Sequence, residues 1–135
     1  MGHNPYGTSL ETRVLSATPV ELVSIATDAA ISAIRQARQH LANGEIKERS
    51  RSILKAVDLL TELGHALDHQ VGGELSARLA ALYDYTQRLL LDANFHQDDG
   101  RLKQAVALLE PLNESWRELA KSDAATAPCE IALSA

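Results

Sequence analysis

The sequence is short of the residues that most often betray a chemistry. It has a single cysteine, Cys129, which rules out a disulfide framework and suits a reducing compartment. Aromatic residues make up only 4% of the 135 residues. Strands lean on aromatic and β-branched side chains, so that scarcity disfavours a sheet sandwich. No stretch approaches the run of about 20 apolar residues that a membrane span requires. The opening residues MGHNPYG carry neither the basic region nor the apolar run of a signal peptide, which predicts a cytoplasmic protein without membrane insertion. Lysine and arginine never gather into a block, and the formal net charge is −5. Nucleic acid and anionic membranes are therefore poor partners. There is no Gly-x-Ser-x-Gly elbow, and Gly72-Gly73 does not follow a strand as a phosphate loop would. These absences leave no nucleophile elbow and no phosphate loop, and the length predicts one domain.

What remains is a chain that is 45% hydrophobic, dominated by leucine and alanine, and long enough for a real core. Residues 79–94, LAALYDYTQRLLLDAN, organise it. Leu79, Leu82, Leu89 and Ala93 fall on one helical stripe that Thr86 interrupts, with Tyr83 and Leu90 beside it. Tyr83 and Tyr85 point roughly 200° apart on a helix, so at least one is exposed or at a groove.

Thr18-Pro19-Val20-Glu21 marks a helix start, with Thr18 as cap, Pro19 at the first position and Glu21 closing a capping box. The first helix follows Leu22, Ile25, Ala26, Ala29, Ala33 and Ala37, widened by Val23, Ala30 and Ile34, to a stop at Asn43-Gly44. A second helix spans Glu45 to His69 with two apolar stripes, one through Ile53, Val57, Leu60, Gly64 and Leu67 and the other through Leu59, Leu63 and Ala66. Such a helix is sandwiched by neighbours or binds something. Gly72-Gly73 breaks the chain before the third helix, and Asp98 caps a fourth that carries Leu102, Ala105, Leu109, Leu112, Trp116 and Leu119. Pro111 inside it predicts a kink or a missing hydrogen bond. The expected fold is all-α, an antiparallel up-down four-helix bundle over 18–121, with a mobile arm or short helix at 1–17 and a disordered tail at 122–135.

The polar constellations favour ordinary solvated faces. Glu62 and His65 form one Glu-x-x-His pair, but a di-iron bundle needs a second pair and two more inward carboxylates. His65 and His69 are four apart without a third ligand nearby, so no metal site is expected. His40 loosely matches the histidine of phosphotransfer bundles. Gly44 reads as a helix stop there, and Asn43 stands where a lysine belongs; a histidine phosphotransfer or other signalling bundle is the alternative function.

Taken in order, Asn4-Pro5-Tyr6, Ala17-Thr18-Pro19-Val20-Glu21-Leu22, Asn43-Gly44-Glu45, Leu67-Asp68, Gly72-Gly73-Glu74, Leu82-Tyr83-Asp84-Tyr85, Arg88-Leu89, Ala93-Asn94 and Trp116 resemble the FliS family of flagellar secretion chaperones. The match covers about residues 4 to 120. The chain departs from the family pattern at Ala26-Thr27, where Leu-Tyr is usual, and at Gln87, which leaves one of two usual arginines.

The resemblance implies a cytosolic export chaperone that is not an enzyme and has no cofactor. Its client is the disordered C-terminal segment of flagellin, kept from premature polymerisation and handed to the flagellar type III secretion system. An export-gate component is a further partner to consider, and the chain is expected as a monomer or weak homodimer. A disordered amphipathic client can fold as helices in apolar grooves of a bundle. The side chains expected to meet it are Ile53, Val57, Leu60 and Leu67 of the second helix with Tyr83 and Leu90 of the third. Tyr6 is expected to anchor the arm as a lid over the empty groove.

Overall fold

Thr18 opens the first helix as its spacing to Glu21 predicts. In the computed structural model, which describes residues 18–122, the Glu21 amide donates to Thr18 Oγ1 at 3.2 Å and the Thr18 amide to Glu21 Oε1 at 3.4 Å. Helix α1 then runs Pro19–Ala42. It ends where Gly44 takes φ +70°, a conformation that favours glycine, and the Glu45 amide returns to the His40 carbonyl at 2.9 Å. Helix α2 is Ile46–His65, α3 is His69–His96 and α4 is Asp99–Lys121. The expectations for Tyr6 and its arm, and for the tail beyond Ser122 with Cys129, lie outside the described residues.

Short connections turn each helix back on the last, giving the expected antiparallel up-down four-helix bundle. α1 packs most extensively, against α2 and α4, while α3 closes the ring between α2 and α4. The interior is aliphatic, with Ile34, Ile53, Leu60, Leu90, Leu102 and Leu109 fully enclosed. On α1 the enclosed face is the one marked by Val23, Ala30 and Ile34, whereas Leu22 is largely exposed.

One boundary differs from expectation. The second helix stops at His65, and His69 begins the next. Asp68 causes this: its Oδ1 accepts from the amides of Gln70 and Val71, both at 3.0 Å, and so nucleates a new helix. The Gly72-Gly73 break lies inside α3, where Gly73 at φ 51°, ψ −122° offsets the first turn from the main shaft. Asp98 caps α4 as expected, accepting from Gly100 and Arg101. Pro111 sits on the exposed side of α4, where its missing N–H is tolerated in an otherwise continuous helix.

Candidate functional site

The seams between helices differ in chemistry, and that decides which can accept an apolar partner. The α1–α4 seam is laced by charge. Arg38 Nε donates to Asp99 Oδ1 at 2.8 Å, Arg35 pairs with Glu110, and Asp28 Oδ1 accepts from Arg117 at 2.6 Å and from Asn113 at 2.8 Å. The hydrogen bond from Arg38 holds the Asp99 carboxyl below its ordinary pKa, and Asp99 raises that of Arg38. Such a seam offers a passing hydrocarbon nothing.

The α2–α3 seam is latched at two levels and otherwise apolar at its rim. At one level Gln87 Nε2 reaches across to the Val57 carbonyl at 3.0 Å and to Thr61 Oγ1 at 2.7 Å. At the other, Asn94 Oδ1 accepts from Arg49 Nε at 3.0 Å and from Ser50 Oγ at 3.2 Å. These latches fix the register of the antiparallel pair. Leu54 lies four residues after Ser50 and three before Val57, and Leu91 lies four after Gln87 and three before Asn94. Residues three and four apart share a helix face, so Leu54 and Leu91 stand at the same level on opposite rims. Both are about half exposed, at 51% and 47%. At the Asn94 end the rim continues with Ile46, 61% exposed, and Phe95, 82% exposed. Four large apolar side chains thus stand exposed along one seam, hereafter the α2–α3 groove, and a contiguous apolar strip of this kind is what an interaction surface presents.

Two smaller apolar features adjoin the ring. Pro19, Leu22, Val23 and Ala26 of α1 with Leu63 and Ala66 of α2 line an open cavity of about 220 Å³. Ala26, one of the two departures in the first helix, contributes little volume to its wall, while Thr27 beside it is buried and donates to the Val23 carbonyl. On the α3–α4 side Gln104 donates to the hydroxyl of Tyr85, which is exposed, while Tyr83 is buried; the two tyrosines face apart as their spacing requires.

Of the side chains expected to meet a client, Ile53, Leu60 and Leu90 are fully enclosed in the bundle, and Leu67 and Tyr83 are buried. Burial pushes the Tyr83 hydroxyl up to about 12. Val57 alone is half-buried, at the floor of the groove beside Gln87. The groove rim is therefore formed by the next residue along in two cases, Leu54 after Ile53 and Leu91 after Leu90. A helix turns 100° per residue, so one position separates interior from rim. Leu54 carried a readable signal: it is an apolar residue among Arg51, Lys55 and Asp58. Phe95, directly after Ala93-Asn94, carried another.

The remaining polar candidates do not assemble. Among the described residues no group of three His, Cys, Asp or Glu side chains converges as a metal would need. His40 sits in the last turn of α1 with Nδ1 2.8 Å from Glu45 Oε1, which holds the Glu45 carboxyl below its ordinary pKa. No helix among the described residues is long and apolar enough to cross a membrane.

Comparison with known proteins adds an independent line. A family model described as flagellar protein FliS matches residues 2–123. The flagellar secretion chaperone FliS of Salmonella typhimurium is 34% identical over 112 residues, covering 82% of this chain and 83% of that protein. The protein of the same name from Bacillus subtilis is 30% identical over 120 residues, 89% of each. Flagellar secretion chaperone FliSB of Pseudomonas aeruginosa is 32% identical over 108 residues, 80% of this chain and 86% of that protein.

Proposed function

The chain belongs to the FliS family of flagellar secretion chaperones, and from that premise we propose that it binds the C-terminal segment of flagellin in the cytoplasm, prevents its polymerisation and delivers it to the flagellar type III export machinery. Membership of a chaperone family displaces both the phosphotransfer and the metal-enzyme alternatives. The observation that carries the proposal is the exposure of Ile46, Leu54, Leu91 and Phe95 along the α2–α3 seam. A disordered segment laid there as an amphipathic helix covers these side chains and is itself kept from assembling. Ordering the segment consumes about 2–5 kcal/mol, so the client must cover more than one such stretch for tight binding. The cavity between α1 and α2 and the exposed Leu75 on α3 supply further apolar surface.

The leading arm, residues 1–17, is proposed as a lid anchored by Tyr6 that shields groove surface until the client displaces it. Tyr6→Ala should then leave the fold intact and raise client affinity; a sharp fall in affinity would make Tyr6 a contact instead. The proposal as a whole is tested by co-purification with full-length and C-terminally truncated flagellin of the same organism. Capture of the first and loss of the second is the expected result. Equal capture of both, or of neither, would overturn it.

A further inference from the structure

The outer face of α2 beside the groove carries Lys47, Arg51 and Lys55, each four residues from the next and so stacked on one stripe. All three are exposed, and none takes part in an ion pair among the described residues. Arg49 lies among them, buried, and donates to the side-chain and backbone oxygens of Asn94. Among the described residues, four cations within one short stretch thus lack a carboxylate partner, in a chain whose net charge is −5. The other arginines of the bundle show the contrast, since Arg35, Arg38, Arg78, Arg88, Arg101 and Arg117 each have an acid beside them. Of the acids at this end of α2, Glu45 is engaged by His40, and Glu48, three residues before Arg51, borders the stripe on the side away from the groove without closing an ion pair among the described residues. Further along the same face the sign changes, at Asp58 and Glu62.

We propose that the occupant of the α2–α3 groove is an amphipathic helix with an acidic flank. Its aliphatic side chains seat between Leu54 and Leu91, and its carboxylates lie over Lys47, Arg51 and Lys55. The inference rests on the groove being where the client docks, and it names the chemistry that the docked segment carries there. Exposed ion pairs contribute little affinity each, but a row of one sign steers encounter and rejects partners of the same sign. The change of sign toward Asp58 and Glu62 also gives the docked helix a direction, with its acids over the Ile46 end of α2.

Two designed amphipathic peptides of about 20 residues test this. They share one leucine face and differ only in a glutamate or a lysine flank, and each is titrated against the full chain by fluorescence anisotropy. The acidic peptide should bind roughly tenfold more tightly at low salt, as three exposed pairs of a few tenths of a kcal/mol imply, with the preference fading as salt rises. Lys47→Glu/Arg51→Glu/Lys55→Glu should reverse the preference, and Leu54→Ala/Leu91→Ala should weaken both peptides alike. Equal affinities, a basic preference, or no binding of either peptide would overturn the proposal. The flagellin C-terminal segment titrated in parallel separates the two claims. Acidic-peptide binding without flagellin binding would count against the client assignment and uphold the charge assignment.

Discussion

Neighbouring leucines on α3 give the sharpest separation of fold from function. Leu90 is 0% exposed in the bundle and Leu91 is 47% exposed at the groove rim. Truncating a fully enclosed leucine removes its transfer free energy and leaves a cavity, so Leu90→Ala should cost about 2–5 kcal/mol of stability. Leu91 has only half its surface inside, so Leu91→Ala should cost the fold about 1 kcal/mol or less. The outer half is what a client would cover, worth about 1 kcal/mol of binding, or roughly fivefold in Kd. Leu54 and Ile53 repeat the pattern on α2, at 51% and 0% exposed. Leu54→Ala/Leu91→Ala should therefore weaken client binding by about 2 kcal/mol, roughly 30-fold, with the midpoint of denaturation little moved. Trp116, the single tryptophan and buried against the core, reports unfolding in urea through its emission. Anisotropy of a labelled flagellin C-terminal segment reports binding. If Leu90→Ala leaves stability unchanged while abolishing binding, or if the Leu54 and Leu91 pair destabilises the fold without touching affinity, the division between core and rim is wrong.

Other perturbations have equally definite outcomes. Thr18→Ala removes the oxygen that accepts from the Glu21 amide and should lower stability by about 1 kcal/mol in urea denaturation. Asn94→Ala strips the buried Arg49 of its side-chain acceptor and should cost about 2–4 kcal/mol, while Asn94→Asp, which supplies a charge partner, should cost far less by the same assay. Gly73→Ala meets no neighbour but forces an L side chain into φ 51°, ψ −122°, and should lower the thermal midpoint by the equivalent of about 1–3 kcal/mol. Asp99 has its folded pKa depressed by Arg38, so its contribution is complete above the ordinary carboxylate pKa near 4 and is lost as pH falls through the lower folded value. The stability gap between the natural chain and Asp99→Asn should accordingly be at most about 1 kcal/mol at neutral pH, since the pair is half in solvent, and should close in strong acid.

The fold was legible wherever a residue's role is local. Thr18 with Glu21, Gly44, and Asp98 act through bonds within one turn, and each does what its spacing implies. Asp68 acts equally locally, yet apolar periodicity runs through Leu67 and masks it, so periodicity alone extends the second helix past its end at His65. The bundle itself follows from wide apolar faces joined by short turns. The groove was legible only as a pair of helices. A stripe of leucines shows that a side of a helix is apolar, and the position that meets the neighbour depends on how far each helix is rotated. The Gln87–Val57 and Asn94–Ser50 hydrogen bonds set that rotation, and they join residues far apart in sequence. That is why Ile53 and Leu90 stood out from periodicity while Leu54 and Leu91 hold the rim.

Site-specific photo-crosslinking tests the central claim most directly. With a photoreactive phenylalanine replacing Leu54, Leu91 or Tyr85 in turn, and the flagellin C-terminal segment added, Leu54 and Leu91 should yield crosslinked product. Tyr85, exposed on the far side of α3 where it meets Gln104, should yield little. Crosslinking from Tyr85 alone, or from none of the three positions while the segment is bound, would contradict the assignment of the α2–α3 groove.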